Sequence, residues 1–360
     1  MADSTDPAVL LDRAWALEPP LLLTERRETL ERLAEVIDSG AVPAPPPGRD
    51  WRLELLAELA VDASTHARID ESLYLVDQVR DAAGAADAQI ALARAAWARG
   101  RALAWAGTDA LASEGARELA AAAEMFAALG RDEWQAWTLI WFGHTVHYEN
   151  GRPHAATGSI QQGLSQLTAD SPWRPTALVF LADTQMEVGE LEAAETSLNE
   201  ALLLADYLAD AKSRSYASWS GAHLAAARED QHTAERLLGE VERDGGEWFD
   251  SHLGLYFLAD AAALLDGVGL SDRAQRYLQL AQSRGSDQDD YVVLARAVML
   301  ARTGDPHLGE AMLQEVVRSE WVEKRLRWRN TLLLAWSKLR AGARADVGVV
   351  ARRALTQAEE

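Results

Sequence analysis

A turn residue followed five positions later by a small residue recurs along most of this sequence. Gly189-Glu-Leu-Glu-Ala-Ala194 is the clearest copy, and Gly151 with Ala156, Glu229 with Ala234, Gly269 with Ala274, Gly304 with Gly309 and Gly342 with Val347 repeat it. Gly107 marks an earlier turn. Seven positions before each turn stands another small residue in most copies, namely Gly100, Ala182, Ala222, Ala262, Ala297 and Ala335. A third follows in Ala201, Ala281 and Ala354. Between the turns the chain reads as amphipathic helix rich in Ala, Leu, Arg and Glu, with no run of alternating β-branched residues. Small residues at fixed places in successive helix pairs let the two helices of each pair approach closely. Repetition of such a unit builds a solenoid in which each pair packs on its neighbours.

The turns are about 39 residues apart on average, between the usual tetratricopeptide and HEAT periods, so the small residues decide between them. Together with Leu178, Leu181 and Leu198 in the large positions, the triple resembles the tetratricopeptide consensus from about residue 85 to residue 360, without its full Trp, Tyr and Pro signature. The expected fold is all-α: a right-handed superhelical solenoid of about seven to eight degenerate tetratricopeptide-like helical hairpins over residues 51–360. Residues 1–50 read as a separate lead-in, with a short helix near 24–39 and the Pro-rich connector Gly40 to Gly48. His144 occupies the small place of one copy and puts the packing of that repeat in question. The last helix, Ala345 to Glu360, ends without a Gly or Pro signal or a polar capping repeat, which suggests a fragment of a longer protein.

Composition narrows the function. A chain of 360 residues is longer than one core normally supports, and an extended array accommodates that length. No long uncharged apolar stretch and no basic leader are present, so a cytoplasmic protein with no membrane partner is expected. The absence of cysteine removes disulfides, thiolate nucleophiles and cysteine zinc sites. A net charge of −21 repels a phosphate backbone, so no direct nucleic-acid contact is expected. None of the three lysines, Lys212, Lys324 and Lys338, follows a glycine, which excludes a P-loop. His144 and His147 with Glu149 have a spacing that could hold a metal, yet two histidines without a further ligand read as packing or hydrogen bonding. Asp289-Asp290 and Asp206 with Asp210 read as solvated helix faces. The expectation is therefore no enzyme, no cofactor and no metal.

In a tetratricopeptide superhelix the first helix of each pair lines the concave wall, at positions three before, one after and four after its small residue. Registered on His144, Ala182 and Ala222, these are Trp141, Thr145 and Tyr148, then Val179, Asp183 and Met186, then Trp219, His223 and Ala226. One turn earlier stand Tyr216, Tyr256 and Tyr291, three of the seven tyrosines at one repeat position. The Gly100 copy adds Arg94, Trp97 and Arg101, and the Ala335 copy adds Arg329 and Trp336. A share of these rings would instead pack between repeats, with Trp134, Trp137, Trp248 and Trp321 in that group. Exposed together, aromatic rings of this size would form a patch that monomers seldom leave uncovered. Such a groove suits a sugar, an aromatic metabolite or an extended peptide. The basic run Glu323 to Asn330 could meet an anionic ligand or an acidic partner, or offset acidic neighbouring helices.

The repeat length and phrases such as Met186-Glu-Val-Gly-Glu-Leu-Glu-Ala-Ala194 with Leu198-Asn-Glu-Ala-Leu202 are similar to the superhelical sensor region of large bacterial transcription activators. These are the signal-transduction ATPases with numerous domains, the maltose-activator-like, LuxR-type family. The resemblance implies an inducer-sensing domain that binds a small molecule on its concave face and acts on ATPase and DNA-binding modules of a larger regulator, neither identifiable here. The alternative is a tetratricopeptide adaptor that binds a peptide or partner protein in the same groove.

Overall fold

The computed structural model describes residues 5–18, 23–40, 42–66, 68–86, 88–105, 109–250, 252–285, 289–319 and 324–359. Gly107, Trp321 and Glu323 lie outside them. All regular structure among the described residues is helical: α1 (Pro7–Leu17), α2 (Leu23–Asp38), α3 (Trp51–Thr65), α4 (Ile69–Ala86), α5 (Gln89–Trp105), α6 (Asp109–Ala128), α7 (Asp132–Trp141), α8 (Pro153–Gln166) and α9 (Arg174–Glu187). The second half continues with α10 (Leu191–Leu208), α11 (Ala211–Ala227), α12 (Gln231–Asp244), α13 (His252–Gly267), α14 (Ser271–Arg284), α15 (Asp290–Arg302), α16 (Pro306–Val316), α17 (Lys324–Arg340) and α18 (Arg344–Glu359). They pair in sequence order into hairpins, and successive hairpins stack through their first helices, α9 on α11, α11 on α13, α13 on α15 and α15 on α17. The fold is the helix-only superhelix of paired hairpins that the small-residue pattern predicts.

The recurring turn has a conformational cause. Gly151, Gly189, Gly269 and Gly342 adopt φ between 76° and 85°, the left-handed conformation that ends a helix with least cost at glycine. Glu229 holds the same turn at φ 61° with a side chain attached. On the small positions, Ala182, Ala222, Ala262 and Ala297 have no solvent exposure. At Gly100 an added Cβ would lie 2.7 Å from Leu119 Cγ, so α5 and α6 pack nearly backbone to backbone.

The repeat registered on His144 departs from the pattern. Helix α7 runs into a π-helical turn, Phe142–Tyr148, which takes one residue more than an α-turn would. The small place therefore moves back to Gly143, where a Cβ would meet Ile160 Cγ1 at 2.9 Å and Ser159 Cβ at 3.0 Å on α8. His144 is released from the interhelical contact and its ring stacks on Phe180, with centroids 3.9 Å apart.

Helices α1 and α2 form a hairpin held to α3 and α5 by a buried ionic cluster. The Glu58 carboxylate accepts from Arg26 at 2.7 Å, from Arg94 at 2.5 and 2.8 Å, and from Trp15 Nε1 at 2.5 Å. Arg94 lies 3.8 Å above the Trp134 ring, and Trp134 packs edge-on against Trp15 and Trp97. No helix among the described residues is long and apolar enough to cross a membrane.

Candidate functional site

The superhelix closes on itself. At the start of α17 the Arg325 amide donates to the Glu149 carbonyl at 3.2 Å, and its guanidinium lies 4.7 Å from the Tyr148 ring. One turn on, Arg329 reaches the Glu187 carboxylate at 2.9 and 3.0 Å, across 142 residues of sequence. Between these contacts the inward faces of α5, α7, α9, α11, α13, α15 and α17 line a cavity of about 930 Å³ that remains open to solvent, within the size range of ligand sites.

One side of the cavity is aromatic. His144 lies on Phe180, and Trp141 meets Phe180 edge-on at 5.9 Å. Further along, Trp219 meets Tyr256 edge-on at 5.3 Å, and Tyr256 lies 4.6 Å from Tyr291. Polar groups stand beside Trp219. Trp219 Nε1 donates to Asp260 Oδ2 at 2.7 Å, and His223 Nε2 meets the same oxygen at 2.6 Å. An indole can only donate, so Asp260 is the acceptor here and His223 completes its coordination from Nε2–H. Burial pushes His223 down, but Asp260 outweighs it and the imidazole titrates above its usual range. Burial pushes Asp260 up, yet His223 and Trp219 leave it below the usual carboxylate range. The stabilisation from the His223 side is full below the unfolded imidazole pKa and fades as pH rises through the folded one. That from Asp260 is present above the unfolded carboxylate pKa and fades as pH falls through the folded one, so the pair is strongest between these limits.

Two further carboxyls behave differently. Burial raises Glu149 to about 8 against the opposing pull of Arg325. Burial also raises Asp183, with a hydrogen bond from Ser220 acting against it. Lys212, 5% exposed, is pushed down by burial and sits 5.3 Å from the Tyr216 ring.

Of the residues singled out in the sequence, Arg101, Trp141, Thr145, Tyr148, Asp183, Tyr216, Trp219, His223, Tyr256, Tyr291 and Arg329 line this cavity. Three do not. Arg94 and Trp97 are buried in the α3–α5 core, where Arg94 serves Glu58 and Trp97 packs on Trp134. Trp336 lies beyond the cavity on α17, 49% exposed. Helix spacing explains what the sequence reading missed. The position two before the small residue also faces inward, placing Phe180, Ser220 and Asp260 in the wall, as does the position five after, with Glu187 and Arg302. These fall on the i±4 row through the predicted tyrosine position and the row beside it. Lys212 and Arg325 share a place ten before the small residue, a correspondence visible only once the repeats are registered.

His147 packs edge-on to Phe142 at 5.1 Å and burial lowers its pKa, whereas His144 faces Phe180. No group of three or more metal-ligating side chains comes together among the described residues.

No protein-family model and no curated protein sequence matches the chain. Solved structures match it in shape. A Rap protein complexed with Competence and Sporulation Factor superposes with a TM-score of 0.74 at 13% identity, covering 98% of this chain and 97% of the other. The fold is shared with the Rap proteins. The Rap conjugation gene regulator of plasmid pLS20, solved with the Phr* peptide, gives 0.59 at 11% identity over 98% and 96% of the two chains. Aspartyl phosphate phosphatase F from Bacillus subtilis gives 0.55 at 10% identity over 99% and 94%.

These likenesses overturn three expectations. The solenoid follows Rap proteins along nearly its whole length, so the resemblance to the sensor region of ATPase-linked activators does not hold, and the small-molecule inducer reading built on it falls with it. Degenerate small-residue positions recur in any tetratricopeptide-like array, which is why they pointed to the wrong family. The exclusion of enzymes loses its basis as well, because a solved aspartyl phosphate phosphatase shares this fold.

Proposed function

We propose that the chain is a regulatory protein whose inner cavity binds a short peptide. The observation that carries the reading is the cavity itself, lined by seven first helices whose inward faces carry aromatic rings and hydrogen-bonding groups. An extended peptide brings both side chains to bury and backbone groups that need partners. Trp141, Phe180, Trp219 and Tyr256 offer the apolar surface, and Asp183, Ser220 and Asn330 the hydrogen bonds. The Rap structures similar to this chain include one complexed with Competence and Sporulation Factor and one with the Phr* peptide, which supports the same use of the superhelix here.

Trp219 is the ring most involved in the wall, in contact with Trp248, Tyr256, Phe257 and Asp260. Trp219→Ala is expected to weaken peptide binding at least tenfold, about 2 kcal/mol, with the helical circular-dichroism spectrum unchanged. Fluorescence anisotropy with peptides selected from a random pool measures this. A folded variant with unaltered affinity contradicts the assignment.

A further inference from the structure

The inward surface carries a charge balance opposite to that of the whole chain. Acidic residues outnumber Lys and Arg by 56 to 35 in the sequence, while in the cavity lining Lys and Arg outnumber Asp and Glu by seven to five. Three of the five carboxylates already serve partners inside the wall: Glu18 pairs with Arg101 at 3.0 Å, Glu187 with Arg329, and Asp260 with His223. Of the other two, Glu149 lies 3.5 Å from His144 Nδ1 and Asp183 accepts from Ser220, and burial pushes the pKa of both carboxyls up. The cations of the lining are concentrated on α17, where Lys324, Arg325 and Arg327 follow one another within four residues. Two donors there have no hydrogen-bond partner among the described residues: Arg327 Nε, and Nδ2 of Asn330, which is 4% exposed. A buried donor without an acceptor costs free energy that a ligand acceptor would recover.

Resting on the peptide reading above, we infer that the cavity selects an acidic peptide, with a side-chain or terminal carboxylate set against Arg327 and Asn330 on α17. A carboxylate supplies acceptors and no donors, which matches a guanidinium and an amide N–H. Wall carboxylates already engaged by Arg101, Arg329 and His223 would repel it little. A basic peptide would meet the surplus cations of α17. The same helix carries the closing contacts Arg325–Glu149 and Arg329–Glu187, so the bound carboxylate would sit beside the seam of the superhelix.

Two pools of fluorescent short peptides, equal in length and aromatic content, one rich in Asp and Glu and one in Lys and Arg, test this on the full chain by anisotropy. The acidic pool is expected to bind at least tenfold more tightly, and both Arg327→Glu and the near-isosteric Asn330→Asp to abolish that preference. Tighter binding of the basic pool, or equal binding of the two, overturns the inference while leaving the peptide reading intact. Binding of neither pool overturns both.

Discussion

Replacing Glu58 by alanine will destabilise the fold by about 3–5 kcal/mol. The side chain is 1% exposed and lies between Arg26 and Arg94, themselves 2% and 1% exposed. Removing it leaves two guanidiniums inside the protein without their shared carboxylate, and also takes the acceptor from Trp15 Nε1. Substitution of one partner in a buried cluster costs more than the cluster contributes, because the remaining charges keep their desolvation penalty. Because Glu58 ties α2 and α5 to α3, the loss will appear first in the α1–α2 hairpin, as faster amide exchange there before global unfolding. The effect has a defined pH dependence. Burial pushes the Glu58 carboxyl up, but Arg94 and Arg26 outweigh it and leave it below its unfolded value. Its contribution is thus full above the unfolded carboxylate pKa and declines as pH falls through the lower folded value. Urea denaturation of both proteins near neutral pH and in acid checks this: the two midpoints should converge in acid.

Gly143→Val and His144→Ala form the second contrast. The valine Cβ would stand about 3 Å from Ile160 and Ser159, forcing α7 away from α8, at a cost of about 3 kcal/mol. His144 makes no such interhelical contact, so its truncation should leave the melting temperature within a few degrees of the parent and weaken peptide binding through loss of the ring on Phe180. If His144 instead held the small position, as direct counting from Gly151 implies, the sensitivities would be reversed. Thermal denaturation of the two variants separates these outcomes.

That contrast shows where the sequence is legible and where it is not. The turn glycines and small alanines report backbone requirements, left-handed φ and close helix approach, that only a few residue types satisfy, so hairpins could be located without coordinates. A π-turn leaves the same composition and changes only the phase, so counting placed His144 where Gly143 belongs. Inward-facing rings such as Trp219, Tyr256 and Tyr291 followed from register, because a straight helix presents the same face in every repeat. Arg94 and Trp97 hold equivalent positions, yet the α1–α2 hairpin covers that end of the array and turns them into core. The closure of α17 onto α7 and α9 was invisible as well. It depends on accumulated superhelical curvature over 142 residues, which no local pattern encodes. Family was the least legible feature, since small residues at hairpin contacts are shared by unrelated tetratricopeptide-like arrays.

The central claim is that a peptide occupies the interior of this superhelix. A photo-crosslinking peptide chosen from the tightest binders, followed by mass-spectrometric mapping, tests it most directly. Crosslinks confined to inward residues of α7, α9, α11, α13 and α17, such as Trp141, Asp183, Trp219, Tyr256 and Arg327, are the predicted result. Crosslinks on the outward second helices α8, α10, α12 and α14, with the cavity unlabelled, would contradict it.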